Sequence, residues 1–371
     1  MAKSVFKKAI STFLIVLNFL VVVLYLMGCA TPFFDISKYP ISGFFGLIFP
    51  YLFVALAFSV FFWLIAKPKL ALIPFITILF GWKQLGVLFA FNIKEDFILE
   101  KKANDIRIID WNIRSFNGIS KNREVKKHVR EDVAETILKL NPDIICLQEF
   151  NTNHLNTSET DNVLLFGKTH PYFYFSKDYL RKNGNYQSGC IIFSKYPLAD
   201  SGKIKYKPAE SLIYADAIVG TDTIRIFNTH LQSFKFKKED YEDIDKIKEQ
   251  DEEALIASKN LYQKMKIAFK KRGIQANTVR EALDKTNHAA IICGDFNDVP
   301  NSYTYFQIKN NWQDAFLQKG FGIGRSFLAL ASTLRIDYIL ADNRFSISQF
   351  DMVDEDLSDH TLLLTDLHLK K

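Results

Sequence analysis

Cysteine is scarce in this chain of 371 residues. There are four, Cys29, Cys146, Cys190 and Cys293, and no close CxxC pair among them. That spacing argues against a disulfide framework or a cysteine-based zinc site. The last three lie in apolar runs ("DIICLQ", "GCIIFS", "AAIICGD"), where a free thiol behaves as a small hydrophobe. Also missing are HExxH, the GxxxxGK[ST] phosphate loop and a serine elbow. Zincin, nucleotide-fuelled and serine-nucleophile chemistry therefore find no support. No internal repeat or low-complexity tract is present. Acidic residues are nearly absent from one region: residues 1–92 hold seven lysines, no arginine and a single acid, Asp35. Of the totals of 47 basic and 41 acidic residues, the remaining chain thus keeps 40 of each, and the net +6 belongs to the N-terminal part. A neutral remainder weighs against nucleic acid as the main partner, because neutralising phosphates supplies most of that affinity.

Apolar residues are plentiful, at 48% with 34 Phe, and unevenly spread. Residues 9–30 and 41–66 form nearly uncharged runs, long enough for the roughly 20 helical residues that cross a bilayer core. Residues 70–91 are apolar but broken by Pro74, Gly81, Lys83 and Gln84. Residues 1–92 are therefore expected to form a membrane region of two or three transmembrane helices. Lys3, Lys7 and Lys8 precede the first run, and Lys67 and Lys69 follow the second. The positive-inside bias puts both groups in the cytoplasm. Three crossings, the expected arrangement, would leave the rest of the chain on the extracytoplasmic side of the cytoplasmic membrane; a third segment that re-enters would leave it inside. "LMGC" (26–29) has the form of a lipoprotein cleavage box, but the apolar segments that follow favour the end of a transmembrane helix.

After a polar linker at 93–104, strand signals alternate with helical ones. "DIRIIDWNI" (105–113) alternates as a strand. Residues 123–140 space Val125, Val129, Val133, Ile137 and Leu140 as a helix does, and Asn141-Pro142 ends it. Strands are expected at 143–149, 187–197, 223–231, 289–298, 333–342 and 358–367, with charged, mostly helix-forming sequence at 234–285, where 233–258 reads as a solvated helix, with a substrate-gating or membrane-facing lid as the alternative. This is an α/β pattern. Several strands end in polar residues: Asn112, Glu149, His230, Asp295 with Asn297, Asp337, and Asp359 with His360. Repeated in this way, such ends suggest one rim on which functional groups converge. Carboxylates and amides suit a hard metal ion, and histidines beside acids suit proton transfer near neutral pH.

The motifs "WNI", "LQE", "SGCIIFS", "NTHLQ", "CGDFND", "RIDYIL" and "SDH" follow one another over residues 105–370. In that order they resemble the endonuclease/exonuclease/phosphatase superfamily, which includes deoxyribonucleases, apurinic endonucleases, neutral sphingomyelinases and inositol phosphate phosphatases. The resemblance implies a four-layer α/β sandwich, two packed mixed sheets flanked by helices, for residues 105–371. It implies metal binding by Asn112 and Glu149, with Asp359 near the metal or its water. Asp295 would orient or deprotonate the attacking water, and Asn297 would donate to the phosphoryl oxygens. His360 would contact the phosphate, with Asp337 fixing its tautomer, and His230 would serve the leaving group. The implied cofactor is Mg2+, with Mn2+ as the alternative. "LRIDYIL" departs from the pattern of the inositol phosphatases, which disfavours that branch.

The expectation is a membrane-anchored, metal-dependent phosphoesterase acting on a lipid headgroup or another phosphoester, with no protein partner. The alternatives are a membrane-tethered nuclease acting on DNA or RNA and a non-catalytic membrane scaffold.

Overall fold

The computed structural model describes residues 2–93, 95–119, 123–153, 161–181, 183–206, 210–249 and 253–370. The chain forms two compact units: residues 1–88 with 237–273 and 299–306, and residues 89–236 with 274–298 and 307–371.

In the first unit, α1 (Ala2–Ala30) and α2 (Ser42–Ala66) form an antiparallel pair, and both are long and apolar enough to cross a membrane. Lys67 Nζ donates to Ser11 Oγ (2.7 Å) at one end of the pair, and the Tyr25 and Phe49 rings stack at 4.9 Å near the other. Next come α3 (Pro68–Phe80) and α4 (Trp82–Leu88), bent by 63°. The bend falls at Gly81, where a Cβ would collide with the Tyr25 hydroxyl. The Tyr25 hydroxyl donates to Ile78 O (3.3 Å), and Gln84 Nε2 donates to Cys29 O (2.9 Å). Residues 78–84 therefore lie beside the end of α1 that faces the 31–41 turn, opposite to Lys67.

That same end receives the other segments of this unit. Phe44 packs against Tyr262 (5.2 Å) and Phe269 (5.1 Å) of α8 (Ala254–Asp284). Asn301 Nδ2 donates to Gly28 O (3.0 Å). Lys264 of α8 holds Asp240 of α7 (Lys238–Glu249) at 2.7 Å. The charged stretch expected to be a solvated helix is thus joined, through α8, to the turn of an apolar hairpin.

The second unit is built on two mixed sheets. Its strands are β1 (Ala90–Phe91), β2 (Asp105–Asn112), β3 (Ile144–Asn153), β4 (Tyr172–Phe175), β5 (Tyr179–Arg181), β6 (Tyr186–Ser194), β7 (Leu198–Lys205), β8 (Ser211–Val219), β9 (Asp222–His230), β10 (Ala289–Asp295), β11 (Gln313–Asp314), β12 (Phe321–Gly322), β13 (Asp337–Ala341), β14 (Phe345–Val353) and β15 (Leu362–Leu369). One sheet has the order β14-β15-β2-β3-β6-β4, with β5 on β6; the other has β11-β13-β10-β9-β8-β7; β1 and β12 form a separate ribbon. β2 runs parallel to β3, and β9 to β10, while the flanking pairs are antiparallel.

The inner faces pack Ile106, Ile108, Ile144 and Ile192 against Ile213, Ile226, Ile291 and Ile339. On the other face of the first sheet, Ile109, Ile145 and Leu147 meet Val129, Val133 and Ile137 of α5 (Arg123–Lys139), and Phe193 meets Phe166 of α6 (Val163–Gly167). Each such side chain contributes about 1.5–3 kcal/mol when fully buried. Val125, also expected on this face, has its side chain outside the described residues. The fold is the expected sandwich of two mixed sheets and helices.

Candidate active site

Both sheets deliver their polar strand ends to one place. The register sets Asp295 of β10 beside His230 of β9 on one side and Asp337 of β13 on the other. Gly294 permits this: its φ is +147°, and a Cβ would collide with the Thr229 carbonyl of the adjoining strand. Only glycine adopts that backbone freely. From the other sheet, Asn112 at the end of β2 donates through Nδ2 to Asp295 Oδ2 (3.1 Å). His360, just before β15, has Nδ1 at 2.9 and 3.0 Å from the two Asp337 oxygens and Nε2 at 3.8 Å from Asp295 Oδ2. His230 Nε2 approaches the same oxygen at 3.5 Å.

His360 is fixed from its backbone too. Trp111 Nε1 donates to its carbonyl (2.7 Å), and Ser358 Oγ joins the Asn112 carbonyl (2.7 Å) to the His360 amide (3.2 Å). One strand end thereby holds the other.

These contacts set the charges. Burial alone would lower the His360 pKa, but Asp337 and Asp295 overcome it and raise it to about 10. His230 is likewise raised against burial, by Glu210, Asp295 and Glu149. Burial and the Asp337 charge push Asp295 up, which makes it a stronger base than an ordinary carboxylate.

Residues 111–360 match the model of the Endonuclease/Exonuclease/phosphatase family. The chain belongs to that family. Residues 11–88 match a second model, a domain of unknown function (DUF8431). Protein angel of Drosophila melanogaster is 29% identical over 178 residues, 47% of this chain and 44% of that protein. The chain thus spans less than half the length of this relative. Among solved structures, the human Nocturnin catalytic domain with bound sulfate anion has a TM-score of 0.51 at 19% identity, covering 74% of this chain and 97% of that one. An endonuclease/exonuclease/phosphatase from Beutenbergia cavernae DSM 12333 has 0.50 at 18%, covering 72% of each. Both likenesses show the fold.

Hydrolytic enzymes of this family typically use a divalent metal, and the residues present fit one. Glu149 sits at a register shift in the β3–β6 pairing, with φ +52°. A non-glycine residue in that conformation is costly and is a frequent feature of functional sites. Among the described residues no hydrogen bond or ion pair occupies its carboxylate. Asn112 pairs in register with Gln148, the residue before Glu149. Its Oδ1 accepts from the Arg114 amide (3.1 Å) and retains a second lone pair. Asp295, Asp337 and His360 also offer ligand atoms within 4.8 Å of one another.

Two expected site residues are engaged by other neighbours. Asp359 faces Arg114, Oδ2 to Nε at 3.5 Å, and does not join the Asp295 cluster. Asn297 donates through Nδ2 to Leu231 O (3.1 Å) and through its backbone to Asp295 Oδ1 (2.8 Å), so one amide hydrogen remains for a ligand.

The structure adds residues that motif reading passed over. Beneath the rim, Gln148 Nε2 donates to Asp110 Oδ1 (2.6 Å) and Asn228 Oδ1 (2.8 Å), while Asn228 Nδ2 reaches the Leu147 and Ile191 carbonyls (3.0 and 2.9 Å). This network stitches the two sheets together. Burial, then the charge of Asp337, pushes the Asp110 carboxyl far above its usual range. The signal was present as polar residues inside apolar strands, which are rarely buried without partners. Ser326 Oγ accepts from the Asp337 amide (3.0 Å), and the Phe327 ring lies 5.0 Å from that of His360. Neither belongs to a strand motif.

Proposed function

We propose that this protein is a membrane-integral, divalent-metal-dependent phosphoesterase that hydrolyses its ester by in-line attack of water, with the catalytic chain on the extracytoplasmic face. The observation that carries the reading is the convergence of Asp295, His230 and the Asp337–His360 pair at the ends of both sheets. Asp295 takes the proton of the attacking water, held by Asn112 and the Asn297 amide. His360, kept cationic by Asp337, balances the charge on the phosphoryl oxygens through Nε2. His230 gives a proton to the leaving oxygen. Asn112 and Glu149 would hold the ion, which supplies Lewis-acid neutralisation of charge on the phosphate.

Membrane integration and the neutral catalytic chain favour a phosphoester presented at the bilayer over a nucleic acid. Full-length protein in detergent should hydrolyse bis-p-nitrophenyl phosphate, lose that activity in EDTA and regain it with Mg2+. Glu149→Gln weakens the ligand charge without changing shape and should need far more Mg2+ for any residual turnover. Wild-type turnover by Glu149→Gln at limiting Mg2+ would overturn the metal assignment. Plasmid DNA compared with phospholipid and sphingolipid vesicles then separates the substrate classes.

A further inference from the structure

The ribbon of β1 and β12 begins one residue after the last apolar helix and carries a one-sided surface. Side chains alternate along a strand. Ala90 points inward, 2% exposed, into the core between the sheets. The outward pair is large and apolar, with Phe91 81% and Phe321 58% exposed, and just beyond the two short strands Ile93 is 86% and Ile323 42% exposed. Phe91 and Phe321 are direct cross-strand partners. Phe89 joins them, its ring 4.6 Å from Phe91 and 5.9 Å from Phe321. The ribbon is firmly held, because Asn92 Nδ2 donates to the Leu317 and Gly320 carbonyls (3.1 and 2.8 Å). A water-facing ribbon would carry polar residues at these positions, and a contiguous exposed apolar patch marks a contact surface.

We propose that Phe89, Phe91, Ile93, Phe321 and Ile323 form an interfacial foot seated in the headgroup layer of the bilayer that the N-terminal helices occupy. The proposal rests on the membrane reading above. Chain length names the occupant. Phe91 lies three residues beyond Leu88, about 10 Å of extended chain at most. The interfacial layer on each side of a bilayer is roughly 5–8 Å deep. Whether the bent α3–α4 segment crosses or re-enters, its end lies at a bilayer face, so the foot cannot leave the surface. Apolar faces at such a boundary sink roughly 5–10 Å into it.

The foot also has a route to the site. Four residues after Ile323, Phe327 bridges His360, and the next amide, Leu328, donates to the Asp359 carbonyl (2.8 Å). That span is about 14 Å at full extension. The loop that starts at the foot ends on the catalytic histidine, which suits a phosphoester carried by a lipid of the same leaflet.

The test uses the full chain, whose four cysteines are all buried. Phe91→Cys, Ile93→Cys and Phe321→Cys are labelled with an environment-sensitive NBD dye and reconstituted in phosphatidylcholine–phosphatidylglycerol vesicles, with the unsubstituted chain as the labelling blank. The expected result is severalfold stronger quenching by a lipid with a doxyl group high on its acyl chain than by aqueous iodide. Iodide quenching equal to that of the free dye–cysteine adduct, in protein that floats with the vesicles, overturns the foot alone. Shielding from both quenchers means that protein covers the ribbon, and also overturns it. Protein that fails to float with vesicles overturns the foot and the membrane reading together. Hydrolysis of a soluble chromogenic diester by the same labelled proteins reads the phosphoesterase assignment separately.

Discussion

Asp337 and His360 act through one hydrogen-bonded pair, so their losses should not add. Asp337 holds Nδ1 and raises the His360 pKa to about 10, which keeps the ring charged and aims Nε2 at the site. Without the acid the ring loses its hold on Nδ1 and the largest of the charges that favour its cationic form; without the ring the acid has nothing to hold. Each alanine substitution should lower kcat/KM by about 10²–10⁴, and the double variant should be little worse than the poorer single. Strict additivity would dismiss the pairing. His230 sits apart, 3.5 Å from Asp295 and without the Asp337 contact. His230→Ala should cripple hydrolysis of an ester with an alkyl or sugar leaving group and spare a nitrophenyl ester, whose leaving group departs unprotonated. Equal losses on both esters would return His230 to a structural role. The residue types at the rim were legible because each stands beside an apolar strand run, though Asp337 opens its strand and His360 precedes one. The directions of Asn297 and Asp359 were not, since they depend on Leu231 and Arg114, which no strand pattern ties to the site.

β2 shows where periodicity misleads. "DIRIIDWN" alternates as a half-exposed strand would, yet all eight residues are buried. The strand lies between β15 and β3 and is covered on both faces. Arg107 tolerates this because Nε and Nη2 bind both oxygens of Asp366 at 2.8 Å and the carbonyls of Leu99 (2.8 Å) and Leu140 (2.9 Å) accept from Nη1. The segment read as a polar linker is fastened to the sheet: Phe97 also lies 4.8 Å from the Arg107 guanidinium. Breaking such a pair from one side leaves a buried charge uncompensated and costs about 3–5 kcal/mol. Asp366→Asn should thus lower the thermal midpoint in detergent sharply, and pairing it with Arg107→Met should recover much of the loss. A midpoint within a degree of wild type for Asp366→Asn would show that the carbonyls alone satisfy Arg107. The strand expected from residue 333 begins only at Asp337, because Ser326 ties the Ile336 and Asp337 amides into a loop (2.9 and 3.0 Å). Long-range hydrogen bonds of this kind leave no local trace in sequence.

Topology joins the charge pattern of the first 92 residues to the contacts of the helical unit. Lys3, Lys7 and Lys8 open α1, and Lys67 closes α2 with its ammonium on Ser11, so the basic ends share one face. The opposite end, the 31–41 turn, carries only Asp35 and Lys38. Segments 254–273 and 299–306, which lie within the catalytic sequence, pack at that opposite end through Phe44 and Gly28. On the proposed membrane reading, chain on the lysine side could reach the turn only by crossing the bilayer again, and the described residues offer no further span after Leu88. α3 must therefore climb from Lys67 to the turn side, and Gln84 bonded to Cys29 marks its arrival. Lys83, which in sequence argues against a crossing, lies beyond the bend at Gly81 and is exposed. On the same reading, the positive-inside bias would keep the basic ends in the cytoplasm. Fusions after Lys38 and after Glu100 should both be active as alkaline phosphatase and dark as a cytoplasmic fluorescent protein, and a fusion after Lys69 should show the reverse. A fluorescent, phosphatase-silent fusion after Glu100 would mean that α3 and α4 turn back, and that the contacts of Phe44 and Gly28 form across no membrane-bound hairpin of this kind.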